Sequence, residues 1–236
     1  ADSGAKRAIT GRILFLCRDP ALIEAQLAGL DLTRAQAGLL RDEVSTDEIT
    51  PVAILSHYDD RLGGFAHTGF QAGGRCPIAP DALRKGGFSV LVAGGRYGKG
   101  SSREHSPAAE KLAGIRLVIA QSFERIYRQN ADNIGLFTST DHGLIERIQR
   151  GEAITVAELV AGRDALAAAV LQSGGLLRFG LQHLREVQPA PAVTTAAPQT
   201  LFGKIVARHA LRTPVTPTQA AVGVGLFVRA DRRFIH

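Results

Sequence analysis

Short apolar runs alternate with segments of helical spacing along the first 150 residues of the chain. Four apolar runs have strand length and are predicted as β-strands: residues 11–17, 88–94, 115–121 and 136–140. Capping residues and apolar spacing predict helices over residues 20–28, 31–40, 107–113, 123–133 and 141–150. The predicted N-terminal caps are Asp19, Asp31, Ser122 and Asp141. Strands separated by helices indicate βαβ units with parallel neighbours, so the pattern predicts an α/β fold with a mixed or parallel sheet and flanking helices.

The last third of the chain has a different pattern. We predict a helix over residues 155–170, a short strand over 176–179, a helix over 201–210 capped by Thr200, and a strand over 224–230. Residues 187–199 contain three prolines among alanine and threonine, a composition that favours extended chain over a packed element. The predicted organisation is a domain over residues 1–186, a linker over 187–199 and a helix–strand tail over 200–236.

The composition is typical of a globular protein in water. The chain has 236 residues, of which 45% are hydrophobic and 21% charged. No apolar run approaches the roughly 18 residues of a membrane span, and the polar N-terminus lacks the apolar segment of a secretory signal, so we predict no membrane partner. Two cysteines, Cys17 in an apolar strand and Cys76 in a Gly-rich loop, are too few for a disulfide framework. A cytoplasmic protein is the simplest expectation.

The net charge of +6 is concentrated at the C-terminal end. The last 37 residues hold six basic side chains against Asp231 alone, a net charge of +5, which leaves the remaining 199 residues nearly neutral. Few aromatic residues are interleaved with these charges and no nucleic-acid-binding motif occurs. We therefore predict a solvated or partner-facing surface and no nucleic-acid partner.

A glycine-rich segment, GGRYGKGSSREH at residues 94–105, lies between a predicted strand and a predicted helix. Its four glycines allow a tight turn and a close backbone approach to a ligand. Ser101, Ser102 and Arg103 then fall at the helix start, where free N–H groups and the helix dipole favour anions. The glycine spacing differs from GxGxxG, and Lys99 comes too early for a P-loop. The segment predicts either a carboxylate or phosphate site or a structural turn with a serine cap.

Three motifs occur in the order found in one enzyme family. Residues 97–105, YGKGSSREH, resemble the substrate loop of the aconitase and isopropylmalate isomerase family, in its swivelling domain or separate small subunit. Residues 115–136 are similar to the family's strand, its "SF-x-RI" helix and its "N-x-x-x-x-GL" turn. Residues 44–51, VSTDEITP, resemble its "TD-x-I-x-P" motif. The resemblance covers residues 44–140 and implies an α/β swivelling domain.

The tail over residues 200–236 resembles the opening of the family's large, cluster-bearing module, whose first helix contains "TL-x-x-KI-x-x-x-H". These 37 residues are too few to fold as that module, and the cysteines that would hold its 4Fe-4S cluster are not in this sequence. The resemblance therefore implies a cluster outside this segment, either further along a longer protein, which we expect, or on a separate large subunit. The tail alone could also be an arm that tethers such a subunit.

The resemblance implies a hydro-lyase or isomerase that moves water on a small hydroxy di- or tricarboxylic acid. In the family an iron of the cluster is the Lewis acid, which is metal-ion catalysis. Ser101 would be the base, as an alkoxide stabilised by the helix start, the loop amides and Arg103. Ser102 would donate a hydrogen bond to a substrate carboxylate. Arg103 would bind that carboxylate with two parallel hydrogen bonds, which a lysine could not reproduce.

Several further residues are assigned supporting roles. Arg61 is a candidate for a second substrate carboxylate, in a loop that does not match the family closely. Asp47 would orient an arginine or the loop, with a helix cap or Asx turn as the alternative. The other supporting residues are Gly98, Gly100, Glu104 and His105. No metal-ligand spacing links the remaining histidines, so no metal site is predicted. The alternative function is a non-catalytic module that binds small carboxylates or regulates an enzyme.

Overall fold

The computed structural model describes residues 8–101, 103–183, 188–189, 200–212 and 225–231. The chain divides into two compact units, Ala1–Leu159 and Val160–His236. Within the described ranges, no helix is long and apolar enough to cross a membrane.

The first unit is built on a four-stranded sheet whose strands are all parallel and follow each other in chain order. Its strands are Arg12–Phe15 (β1), Phe88–Ala93 (β2), Leu117–Ala120 (β3) and Phe137–Ser139 (β4). The two central strands are almost continuously apolar and buried, because helices and loops cover both faces of a parallel sheet. The predicted α/β class and the parallel arrangement are confirmed.

Helices alternate with these strands in the first unit. They are Pro20–Leu27 (α1), Thr46–Ile49 (α2), Ala82–Gly86 (α3), His105–Leu112 (α4), Arg125–Ile134 (α5), Gly143–Gln149 (α6) and Val156–Val160 (α7), the last ending at the unit boundary. The Asp19 carboxylate caps α1 by accepting from the Ala21 N–H at 2.9 Å, as predicted. Two 3₁₀ segments, Val52–Ile54 and Asp60–Phe65, lie between α2 and α3. Parallel strands place the loops that follow β1 and β2 at the same edge of the sheet.

Two helix predictions in the first unit are corrected. Residues 31–40 form turns, not a helix. The carboxylate of the predicted cap Asp31 accepts from Arg12 Nε at 2.7 Å, and Gly38 adopts a left-handed φ of 60°. Ser122 does not cap α5, because its hydroxyl accepts from the Arg96 N–H at 2.8 Å, and the helix begins only at Arg125.

The described part of the second unit begins with two helices, Ala165–Ser173 (α8) and Leu176–His183 (α9). The predicted continuous helix over 155–170 is wrong, because Gly162 adopts a left-handed φ of 78° and the Asp164 carboxylate caps a new helix. The predicted strand over 176–179 is also wrong, since this segment is the first half of α9. A short apolar run of this kind suits a strand or a buried helix face equally, and here Phe179 is the buried residue of the helix.

The described part of the tail forms a helix, Leu201–His209 (α10), and pairs in a small antiparallel sheet. The strands of that sheet are Gln188–Pro189 (β5), Ala210–Arg212 (β6) and Phe227–Val228 (β7). Thr200 caps α10 by accepting from the Gly203 N–H at 3.0 Å, so the predicted tail helix and its cap are confirmed. Of the predicted linker 187–199, residues 188–189 are β5 and the others lie outside the described residues.

Candidate active site

The glycine-rich segment connects the end of β2 to the start of α4 and lies against the segment that leads into α2. The Gly98 and Lys99 N–H groups both donate to the Val44 carbonyl, at 2.9 and 3.2 Å, and the Thr46 N–H donates to the Lys99 carbonyl at 2.8 Å. The motifs at residues 44–51 and 97–105 are therefore neighbours in the fold.

Two glycines of this segment are required by their surroundings. Gly98 has a φ of 81°, and a Cβ atom there would overlap the ring of Tyr127 on α5. Gly100 has a φ of 114°, with the Thr46 hydroxyl 3.0 Å from the position that a Cβ would take. The backbone can pass between α2 and α5 only where these side chains are missing. Tyr127 belongs to the motif at residues 115–136. All three motifs therefore meet at this segment.

Arg103 and Asp47 form an ion pair between the start of α4 and the short helix α2. The Arg103 side chain is 19% exposed, whereas the Asp47 side chain is 61% exposed. Ser45, not Asp47, caps α2 through a capping box with Glu48. The Asp47 carboxylate is thereby available at the first turn of α2 to hold the guanidinium.

Ser101 is exposed and directly follows Gly100, the last glycine of the glycine-rich segment. Its carbonyl accepts from the Arg103 N–H at 2.8 Å, a tight turn that places Ser101 and Arg103 together before α4. Ser102, assigned to a substrate carboxylate, lies outside the described residues.

The other assigned side chains lie around the start of α4. Glu104 occupies the position before the helix, and its carbonyl accepts from the Ala108 N–H at 3.1 Å. The ring of His105 packs against Tyr58, with the ring centres 4.6 Å apart. Arg61, which follows Tyr58 closely in sequence, is exposed and pairs with Asp59 at 2.8 Å. Tyr58 therefore joins this loop to α4, while the guanidinium of Arg61 is engaged by Asp59.

A buried polar cluster, defined by His67, Tyr97, Glu110 and Tyr127, lies beneath the glycine-rich segment. The Glu110 carboxylate accepts hydrogen bonds from both tyrosine hydroxyls and is 2.9 Å from His67 Nε2. Burial, followed by the charge of Glu110, raises the pKa of Tyr97 and of Tyr127 well above the usual tyrosine value. No local sequence pattern indicates this cluster. Tyr97 and Tyr127 belong to the recognised motifs, but His67 is 43 positions from Glu110 and carried no signal of burial.

An open cavity of about 690 Å³ lies at the same edge of the sheet. It is lined by Arg18, Arg41, Asp42, Glu43, Gly73, Gly95 and Arg96. Each of its arginines is paired with a carboxylate, for example Arg18 with Asp42 at 2.6 Å. Its cationic side chains are therefore neutralised within the fold.

The described residues contain no group of three or more His, Cys, Asp or Glu side chains that could hold a metal ion. Cys17 is buried, and burial raises the pKa of its thiol to about 11, so it is a poor thiolate ligand at neutral pH. Cys76 is exposed and lies 2.9 Å from the Gln71 amide nitrogen.

Comparison with known proteins identifies one family model and several relatives that share a name. The family model described as "Aconitase C-terminal domain" matches residues 78–140. The 3-isopropylmalate dehydratase small subunit of Pyrobaculum aerophilum is 34% identical over an alignment of 160 residues that covers 62% of this chain and 95% of the relative. The corresponding subunit of Syntrophus aciditrophicus is 37% identical over 64% of this chain and 80% of the relative.

A relative from Methanocaldococcus jannaschii carries a broader name. This isopropylmalate/citramalate isomerase small subunit is 32% identical over 62% of the chain and 92% of its own length. A crystal structure of 3-isopropylmalate dehydratase from the same organism is 28% identical, with a TM-score of 0.44, over 60% of this chain and 88% of that one. Because these relatives are more than 30% identical and are matched over 80% to 95% of their own length, the chain belongs to the family of 3-isopropylmalate dehydratase small subunits, hydro-lyases of the aconitase superfamily.

Proposed function

We propose that this chain holds the substrate of a hydro-lyase acting on a small hydroxy-dicarboxylic acid of the malate type. The carrying observation is the Arg103–Asp47 ion pair, which sets a guanidinium beside Ser101 before the first turn of α4. Isopropylmalate and citramalate, the acids in the relatives' names, both fit this class. The proposed substrate class also includes hydroxy-tricarboxylic acids.

Arg103 is proposed to bind a substrate carboxylate. A guanidinium carries five N–H donors, and among the described residues Arg103 uses one nitrogen, Nη1, for Asp47. Its other donors can form the paired hydrogen bonds that fit a carboxylate. Because Asp47 restrains the side chain before substrate arrives, less conformational entropy is lost on binding.

Ser101 is proposed as the base that removes a proton from the substrate carbon. A serine alkoxide needs nearby positive charge, which the N-terminal end of α4 and Arg103 can supply. Ser102 is proposed to donate to a carboxylate. Arg61 remains a proposed second carboxylate ligand, because Tyr58 ties its loop to the first residue of α4. Glu104 and His105 would brace that helix start.

The Lewis acid is proposed to lie on a large partner subunit or on a further part of a longer protein. The names of the relatives as small subunits support such a partner. The described residues offer no set of ligands for a 4Fe-4S cluster, so that group does not fit this part of the chain. Two free cysteines support a reducing, cytoplasmic location for the assembly.

The native assembly tests this proposal. Purified without oxygen, the protein should have a mass well above the 25.0 kDa of this chain, or carry a large partner, and should contain about four irons. Intact-mass measurement and iron analysis give both values. A 25.0 kDa species with neither iron nor partner would favour the alternative, a non-catalytic module that binds small carboxylates.

A further inference from the structure

The buried polar cluster brings together four segments that are distant in the chain. Tyr97 begins the motif at residues 97–105, Glu110 lies on α4, Tyr127 lies on α5, and His67 follows the 3₁₀ segment Asp60–Phe65. Each of the four residues is at most 2% exposed. Side chains this polar are rarely placed in an apolar core without a specific arrangement of partners.

The hydrogen bonds suit an ionised carboxylate with three donors. Both tyrosine hydroxyls donate to Glu110, one to each carboxylate oxygen, and His67 Nε2 lies 2.9 Å from Oε1 and 3.1 Å from the Tyr97 hydroxyl. The other ring nitrogen of His67, Nδ1, is buried without a hydrogen-bond partner among the described residues. A neutral imidazole with its proton on Nε2 leaves no N–H group unpaired, so His67 acts as a donor to Glu110.

Glu110 connects directly to both sides of the loop at residues 97–105. Tyr97 and Glu110 bracket residues 98–109, and their hydrogen bond ties the start of the loop to the helix that follows it. The hydroxyl of Tyr127 is held by the same carboxylate, and its ring occupies the space that a Gly98 side chain would need. Glu110 thus fixes the first residue of the loop, the ring beneath Gly98 and the body of α4.

Replacing a buried polar network by packed apolar side chains is often neutral or stabilising, so stability alone gives little reason for a carboxylate here. A network with fixed donor and acceptor directions, however, restricts the backbone to one arrangement. That restriction is useful where Ser101 and Arg103 must be placed to a fraction of an ångström.

We propose that Glu110 is a positioning residue that, through Tyr97 and Tyr127, sets the place of the Ser101–Arg103 turn relative to the substrate. Glu110 touches no substrate and transfers no proton in this proposal. The inference rests on the proposed function, because it takes the turn to be the substrate-holding element.

The test uses Glu110→Gln and Tyr127→Phe in the full chain, assembled with its cluster-bearing partner. Glutamine keeps the shape of Glu110 but replaces one acceptor oxygen by a donor, so either the Tyr127 hydroxyl, or the Tyr97 hydroxyl together with the His67 N–H, loses its acceptor. We expect faster amide hydrogen exchange in a peptide covering residues 97–104. We also expect kcat/KM with isopropylmalate to fall by about tenfold to 100-fold, with kcat carrying most of the loss, while iron content stays unchanged. Tyr127→Phe keeps the ring under Gly98 and should give a smaller change of the same kind.

Ile148→Val is the matched control, because Ile148 is a buried core residue on α6 outside the cluster. It should lower the melting temperature without changing the loop exchange, kcat or KM. Normal exchange and normal kinetics in both Glu110→Gln and Tyr127→Phe would overturn the proposal, as would equal kinetic losses in Ile148→Val. If Glu110→Gln fails to fold, Tyr127→Phe decides. Full activity of Arg103→Lys, measured in parallel, would instead overturn the proposed function. The hydrogen-exchange data would then test only whether Glu110 holds residues 97–104 in place.

Discussion

Arg103→Lys in the complete enzyme is expected to lower kcat/KM by roughly 100-fold, the equivalent of losing about 2 to 3 kcal/mol of charged hydrogen bonding. Lysine keeps the positive charge but cannot bind Asp47 and a carboxylate at once with parallel donors. The loss should appear mainly in KM if the contact is equal in ground and transition states, and in kcat if it strengthens during the reaction. Steady-state kinetics with isopropylmalate separates the two.

Arg96→Lys is the matched control for this prediction. Arg96 lies in the same glycine-rich segment, but its exposed guanidinium pairs with Glu43 and Glu124. Exposed ion pairs contribute little, so kcat/KM should stay within about twofold of the wild-type value. Wild-type kinetics in Arg103→Lys would remove Arg103 from carboxylate binding. Equal losses in both variants would point to the charge of the loop and not to a specific contact.

Ser101→Ala should reduce kcat by about 10²- to 10⁴-fold, the usual contribution of a general base. KM should change little, because alanine removes the base and leaves the Arg103–Asp47 pair in place. Ser101 is exposed, so the substitution should leave the melting temperature near that of the wild type. The measurement is steady-state kinetics together with thermal denaturation of the assembled enzyme.

A serine elsewhere in the chain controls for the effect of a serine-to-alanine change. Ser173 ends α8 in the second unit, and Ser173→Ala should leave kcat unchanged. If Ser101→Ala retained half of the wild-type kcat, another group would have to be the base, and Ser101 would be at most a hydrogen-bond donor to the substrate.

Much of the fold was predictable because its signals are local. The buried strands of a parallel sheet are short continuous apolar runs, so β2 and β3 were evident in the sequence. Caps such as Asp19 and Thr200 act on N–H groups two or three residues away and fix where a helix begins. Two of the corrections depend on contacts at longer range: Asp31 binds Arg12 and Ser122 binds the Arg96 N–H, instead of each capping a helix.

The candidate site was predictable in part for the same reason. The need for glycine at positions 98 and 100 follows from turns whose sequence pattern is visible. The identity of what fills the space beside them, the Tyr127 ring, depends on how α5 packs against the loop. The pairing of Glu110 with His67 joins residues 43 positions apart, and no periodicity of either segment indicates it. Roles that depend on substrate, including those of Ser101 and Arg103, remain predictions.

The central claim is that this chain holds the substrate while the Lewis acid lies outside it, on a large partner subunit or on a further part of a longer protein that can be prepared separately. Its most direct test is the rate of water addition or removal with isopropylmalate, citramalate, citrate and aconitate. The rate is measured for this chain alone, for the iron-loaded partner alone and for the two together. We predict turnover of at least one hydroxy acid only in the mixture, rising to saturation as this chain is added. Turnover by the isolated chain without a cluster-bearing partner would contradict the account.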